Sequence, residues 1–201
     1  MTLEFWFEFA STYSYPAALR VEDVARARGV DLAWRPFLLG PIFREQGWND
    51  SPFNLYPAKG RYMWRDLERI CAGLGFPFRR PTRFPRQSLV AARVACRCAG
   101  EPWLPGFVRS IYRANFAEDL EIGEPRVVAD RLDALGLPGA KLIDEAQSPE
   151  SKETLRAQTE RAVGLGLFGA PSFVAGGELF WGNDRLEAAV AWAAGEGRGR
   201  A

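Results

Sequence analysis

Apolar residues recur at two different periods along this chain, and the places where each period holds limit what it can fold into. At the N-terminus, Leu3, Phe5, Phe7 and Phe9 alternate with Glu4, Trp6 and Glu8. That is the period-two pattern of a strand with one well-buried face. Pro16 suits the first turn of a helix, and Val21, Val24 and Ala25 share one of its faces. Arg26 and Arg28 fall in its last turn, and Gly29 predicts its stop. VDLAWRPF then reads as a second strand, ended by Pro36. Short connections on both sides of the helix imply parallel strands and a right-handed crossover.

The C-terminal end is patterned differently. Pro171-Ser172-Phe173-Val174-Ala175, Gly176-Gly177 and Glu178-Leu179-Phe180-Trp181 read as a hairpin closed by a two-residue glycine turn. Asn183 or Asp184 is expected to cap the helix RLEAAVAWAA, and the final GEGRGRA to fray. Between about Pro41 and Gly166 the spacing is helical throughout. Met63, Leu67, Ile70, Cys71 and Leu74 share a face of KGRYMWRDLERICAGLG, and Val128, Leu132 and Leu135 share one in RVVADRLDALG. SPESKETLRAQTERAVGLG has Ser148 or a neighbour as cap and Pro149 early. The expected order is β-α-β, a helical insertion, then β-β-α.

Composition removes several classes of function. The 201 residues carry 26 basic and 25 acidic side chains, a net charge of +1, with Arg interleaved among Asp and Glu. Neither nucleic acid nor an anionic membrane surface is expected as a partner. No apolar run is long enough to span a bilayer, and Glu4 and Glu8 interrupt the N-terminal apolar stretch, so no signal peptide is expected. The odd, sparse set Cys71, Cys96 and Cys98 suits a reducing compartment, hence a cytoplasmic location. Cys96 and Cys98 lie two apart on a helical run, which turns their sulfurs away from each other and gives them a structural reading. The chain has no histidine. A serine–histidine triad and a histidine-ligated zinc site are therefore excluded, and no metal is expected.

β-α-β followed by β-β-α is the thioredoxin topology, in which the reactive site lies where the first strand meets its helix and faces a cis proline. Here Ser11-Thr12-Tyr13-Ser14 stands at that junction, with Ser11 and Ser14 in the places of the two cysteines of Cys-x-x-Cys. Disulfide exchange needs thiolates and is excluded there. A helix N-terminus favours a bound anion, and a hydroxyl can donate to a thiolate arriving from outside the chain. Ser11 is expected to hold such a sulfur, and Ala170-Pro171 to be cis. Ser11 can equally be an N-cap, and the two roles are compatible. Gly164-Leu165-Gly166-Leu167-Phe168-Gly169 matches the dinucleotide fingerprint, but it follows a helix and leads into Ala170-Pro171, so that function is excluded.

Taken in order, FASTYSY, RPFLLGPIF, SPFNLYPAKGRYMWRDLERICAGLG, FPRQSLVAARVA, FGAPSFV and ELFWGNDRL resemble the 2-hydroxychromene-2-carboxylate isomerases, relatives of kappa-class glutathione transferases and DsbA-like thioredoxin proteins. Thr12 departs from that family, which often has proline after the serine. The resemblance implies a thioredoxin-like α/β fold with a large all-helical insertion. Residues 1–40 and 167–201 would form the thioredoxin-like domain and residues 41–166 the insertion. It further implies a glutathione-dependent cis–trans isomerase interconverting 2-hydroxychromene-2-carboxylate and trans-o-hydroxybenzylidenepyruvate, a step in aromatic catabolism, and a homodimer. Ser11 would stabilise the glutathione thiolate, Ala170 before Pro171 would pair with the cysteine of glutathione, and Asn183 and Asp184 would receive its γ-glutamyl end. Asn54 and Lys59 would meet the glycyl end or the carboxylate of a small aromatic keto acid. Asn49 competes for the place of Asn54, and Trp6, Phe43, Trp48, Phe53 and Trp181 are candidates for an aromatic pocket. Two alternatives stay open: a kappa-like glutathione transferase or peroxidase, and a non-catalytic DsbA-derived module that binds thiols or peptides.

Overall fold

In the computed structural model, which describes residues 1–196, the strands are β1 (Leu3–Phe7), β2 (Leu32–Pro36), β3 (Ser172–Ala175) and β4 (Glu178–Trp181). They form one sheet in the order β2-β1-β3-β4. β1 and β2 run parallel, joined across the crossover by α1 (Ser14–Arg26), whereas β3 is antiparallel to both β1 and β4. Gly176 and Gly177 close the β3–β4 hairpin at φ 60 and 88, the left-handed pair that a two-residue hairpin turn demands. Of the expected frayed tail GEGRGRA, residues 197–201 lie outside the described residues.

Every described element between β2 and β3 is helical. In order these are α2 (Leu39–Glu45), α3 (Pro52–Leu55), α4 (Pro57–Leu74), α5 (Leu89–Arg97), α6 (Leu104–Phe116), α7 (Pro125–Asp133), α8 (Gly139–Ala146) and α9 (Pro149–Gly164). Proline sits at the start of α3, α4, α6, α7 and α9, where its missing N–H has no helical partner to lose. Ser148 caps α9 by accepting the Ser151 amide at 3.2 Å. A turn at Asn183–Arg185 leads into α10 (Leu186–Ala193).

The expectation of a single buried face on β1 needs correction. Leu3, Phe5 and Phe7 enter the main core with Tyr15, Phe107, Tyr112 and Phe116, while Trp6 is equally buried on the opposite face with Phe37, Ile42 and Val174. β1 is the central strand and helices cover both faces, so its polar alternation survives only at Glu4. Each aromatic so buried contributes about 2–3 kcal/mol. The main core continues unbroken from the sheet into α4 to α8 through Met63, Leu67, Ala91, Val128 and Ile143. Leu74 and Leu135, expected on buried faces, are exposed because they fall in the last turns of their helical segments.

Candidate active site

β1 ends at Phe7, and residues 8–13 turn the chain into α1. Inside that turn the Ser11 amide donates to the Glu8 carbonyl at 2.9 Å. The Ser11 hydroxyl oxygen accepts the Ser14 amide at 3.3 Å and donates its own proton to the Ala170 carbonyl at 2.8 Å. Ala170-Pro171 is cis, as expected, and so is Phe84-Pro85. The loop before β3 is held on further sides: Ser172 Oγ donates to the Gly169 carbonyl at 2.8 Å, and the Gly182 amide to the Pro171 carbonyl at 2.9 Å. Tyr13, not Ser11, occupies the N-cap position of α1, and its side chain caps nothing. Ser11 nevertheless takes the first helical amide, which leaves the capping reading partly in force.

This junction forms the floor of a cleft of about 1450 Å³. One wall brings Phe43, Trp48, Phe53 and Lys59 from the segment containing α2 to α4; the other brings Phe168, Trp181 and Asp184. Phe43 and Trp48 pair at 5.6 Å between ring centroids, and Phe168 and Trp181 at 4.9 Å. Phe168 and Trp181 are 45% and 52% exposed, so the walls present aromatic faces that the core does not use. Lys59 lies over the Tyr56 ring at 4.6 Å, and neither it nor Arg44 forms an ion pair among the described residues. Two cations without an ion pair among the described residues therefore face a largely apolar space.

Of the residues singled out in the sequence, Ser11, Lys59, Ala170, Asn183 and Asp184 border the cleft, and Pro171 follows Ala170 immediately behind it. Asn54 does not. Its amide donates to both Asp50 carboxylate oxygens and to the Phe84 carbonyl at 3.2 Å, pinning the loop ahead of Pro85; Asn49 borders the cleft instead. Trp6 is core, with the Arg161 guanidinium 5.1 Å from its ring. The expected cap of the last helix is also absent. Arg185 holds that position without a side-chain bond, because the turn at Asn183–Arg185 intervenes. The Asn183 side-chain oxygen instead accepts from Arg20, which also donates to its backbone carbonyl at 2.8 Å.

Sequence reasoning missed Glu8, Arg86 and Ser88, all of which border the cleft and are buried. Glu8 follows the strand pattern as an outward residue, yet the strand stops one position earlier and the turn folds its side chain inward. Oε2 accepts the Ala10 amide at 3.0 Å, and Oε1 accepts the Ser88 hydroxyl. Burial pushes the Glu8 carboxyl up to about 7, against the two hydrogen bonds that pull it down. Arg86 is fastened to Asn115, Asp119 and Thr82, and holds the loop carrying Ser88 against α6. Burial, then the neighbouring Asp66 carboxylate, raises the Tyr13 phenol above its ordinary value; its hydroxyl donates to Asp66 at 3.0 Å. The cysteines are buried and unpaired, and burial lifts Cys71 and Cys96 to about 11, which keeps them as inert thiols.

A four-stranded mixed sheet, a cis proline opposite the start of α1 and helices inserted between the two halves define a class. The chain belongs to the DsbA-like thioredoxin family: the model of the DSBA-like thioredoxin domain matches residues 2–191. Its relatives include 2-hydroxychromene-2-carboxylate isomerase of Sphingobium xenophagum, 29% identical over 92% of this chain and 94% of that protein. Human (Homo sapiens) glutathione S-transferase kappa 1 is 27% identical over 92% of this chain and 88% of its own length. A solved structure of 2-hydroxychromene-2-carboxylate isomerase superposes with a TM-score of 0.81 at 25% identity, covering 92% of this chain and 91% of that one. The cytosolic disulfide reductase DsbM of Pseudomonas aeruginosa, solved with GSH, shares the fold at a TM-score of 0.66 and 17% identity, over 96% of both chains. No helix among the described residues is long and apolar enough to cross a membrane.

Proposed function

We propose that this protein is a glutathione-dependent isomerase interconverting 2-hydroxychromene-2-carboxylate and trans-o-hydroxybenzylidenepyruvate, acting in the cytoplasm as a homodimer. The observation that carries the reading is the pairing of Ser11 with the Ala170 carbonyl on the floor of an aromatic-walled cleft. The relatives named for that isomerase support it. Bound glutathione supplies a thiolate whose reversible addition turns the side-chain double bond of the substrate into a rotatable single bond.

The residues present fit glutathione. Ala170 offers a backbone carbonyl at a loop edge, the way extended peptides are held. That carbonyl is already bonded to Ser11, and a hydroxyl has one proton to give. A ligand N–H can take the second lone pair of the Ala170 carbonyl, while the Ser11 hydroxyl turns its proton toward a sulfur beside the start of α1. Lys59 and Arg44 offer positive charge for carboxylates, and the backbone amides of Asn183 and Asp184 offer donors at the opposite end. Phe43, Trp48, Phe53, Phe168 and Trp181 would flank an aromatic ring and exclude water. With histidine absent from the chain, the reading asks for no side-chain nucleophile. Residues 41–166 act in it as an inserted domain that walls the cleft built on residues 1–40 and 167–201.

The test is an ultraviolet assay of the chromene–benzylidenepyruvate equilibrium. Rapid equilibration with glutathione and none without it is the expected result; equal rates would sink the proposal. The similarity to glutathione S-transferase kappa 1 favours one second reading, a transferase acting on electrophiles. Rapid conjugation of glutathione to a chlorinated nitroaromatic, with no isomerisation, would select it.

A further inference from the structure

Glu8 is the acid on the cleft floor that the proposed reaction leaves without a part. Its side chain is buried at the end of β1, three positions before Ser11, and the two residues are joined through the Ser11 amide. Each carboxylate oxygen receives one neutral hydrogen bond, from Ala10 or Ser88. No cation faces it. Arg86, on the segment before α5, is committed to Asn115 and Asp119. Tyr112, from α6, donates to the Glu8 backbone carbonyl at 2.9 Å, and burial holds its phenol well above the ordinary value. Tyr13, at the start of α1, is bonded to Asp66 of α4. Arg44 of α2 and Lys59 of α4 sit at exposed positions along the cleft walls.

We infer that Glu8 is the proton store of this site: it takes up the proton released when a thiol ionises beside Ser11, and returns it when that thiol leaves. The inference rests on the proposed binding of glutathione and deepens it. A buried carboxylate without a counter-charge and an arriving thiolate are two anions in one poorly solvated space, and like charges there cannot both persist. The helix start and the Ser11 hydroxyl favour the charge on sulfur, whereas no charged group among the described residues favours it on Glu8. The proton therefore changes places. The S–H bond breaks, its electron pair stays on sulfur, an O–H bond forms on the Glu8 carboxylate, and the site keeps a single negative charge. Nothing is oxidised or reduced. With its carboxyl pushed up to about 7, Glu8 is largely ionised just above neutrality and needs only a modest further push to accept the proton.

The experiment counts protons rather than turnover. Glutathione is added at about pH 8, below the roughly 8.5 of a free thiol, in weak buffer with an indicator dye, while thiolate absorbance near 240 nm is followed. In the wild type, absorbance should rise with almost no proton released. In Glu8→Gln the thiolate should still form, and most of one proton per site should appear in solution. S-methylglutathione, which has no thiol, should move no proton in either protein. Ser88→Ala removes a donor to the Glu8 carboxylate, so silent uptake should extend to a pH about one unit higher. That variant carries the test if Glu8→Gln fails to fold. Binding with equal proton release in wild type and Glu8→Gln, or an unshifted pH range in Ser88→Ala, overturns the inference alone. Absence of glutathione binding by calorimetry overturns the functional reading and the inference together.

Discussion

The Ser11 hydroxyl donates to the carbonyl of Ala170 at 2.8 Å, joining the first turn of the chain to the loop before β3 across 159 positions of sequence. Thioredoxin topology brings these two segments together because β3 pairs beside β1, with Trp6 opposite Ser172. The bond uses the hydroxyl proton and one lone pair of the carbonyl. On the proposed reading the hydroxyl, with one proton to give, exchanges this carbonyl for the sulfur of a ligand that docks as a strand.

Ser11→Ala should therefore lower the glutathione-dependent rate by about a hundred- to a thousandfold, the scale set by loss of one well-placed donor to an anion. Its effect on stability should be small, about 1 kcal/mol, because water entering the cleft can replace one hydrogen bond. Ser14→Ala should affect the rate less, since Ser14 is fully buried and reaches Ser11 through its backbone amide. Steady-state kinetics beside denaturant melts would separate the two quantities. Equal, small kinetic effects of both changes would remove Ser11 from its role.

Gly169→Ala tests the aromatic wall. A Cβ at Gly169 would lie 2.4 Å from Trp181 Nε1, an overlap that the indole must relieve by moving. Trp181 is half exposed, so it can swing outward and break its pairing with Phe168. The expected outcome is a several-fold rise in KM for an aromatic substrate, with stability lowered by no more than about 1–3 kcal/mol. Trp181 fluorescence should report the displaced indole, and unchanged emission with unchanged KM would contradict this account of the wall.

The two ends of the chain were legible because strand alternation, Gly176-Gly177 and Pro171 are local signals that the sheet then honours. Ser11 was legible for the same reason, as a hydroxyl at a strand-to-helix junction. Glu8 was not. Whether it points outward or inward depends on the strand ending at Phe7 instead of Phe9, a boundary that the apolar alternation runs straight across. Arg86 and Ser88 reach the cleft only because Asn115 and Asp119, on and beyond α6, anchor their loop, and no periodicity encodes that contact. Asn54 and Asn49 show the converse failure: neighbouring asparagines offered the same chemistry, and the turn at Asp50 decided which one was used up in structure.

Lys59→Gln and Arg44→Gln should each raise KM for an anionic ligand several-fold while leaving kcat within about a factor of two. Both cations sit at exposed positions of the cleft wall, so they act on binding at high dielectric, where one charge is worth about 1 kcal/mol. Salt should imitate them. Raising ionic strength from about 0.01 M to 1 M shortens the screening length from about 30 Å to 3 Å and should weaken wild-type binding more than that of the double variant. Equal salt dependence in the two proteins would place the anion-binding charge elsewhere.

Glu8 should also leave a signature on stability in the absence of any ligand. Its carboxyl is pushed up from 4.5 to about 7 by burial, so the folded protein holds a proton that the unfolded chain has released across that window. The contribution of the protonated group is fully present below about pH 4.5 and is lost as pH rises through 7. Above that, the native state carries a buried, uncompensated charge. A tenfold change in proton affinity is worth about 1.4 kcal/mol, so the whole swing is up to about 3 kcal/mol. Glu8→Gln keeps the shape but cannot ionise; its single oxygen accepts the Ala10 amide, and its NH2 group donates to the Ser88 hydroxyl, which turns to accept. The difference in unfolding free energy between variant and wild type should therefore move in favour of the variant between about pH 5 and pH 8. Urea midpoints at those two values, with Glu178→Gln as a control on an exposed acid of the sheet, would measure it. A Glu8→Gln difference that stayed constant with pH would mean that Glu8 titrates like an ordinary surface carboxylate, and the cleft floor would then hold no proton to exchange.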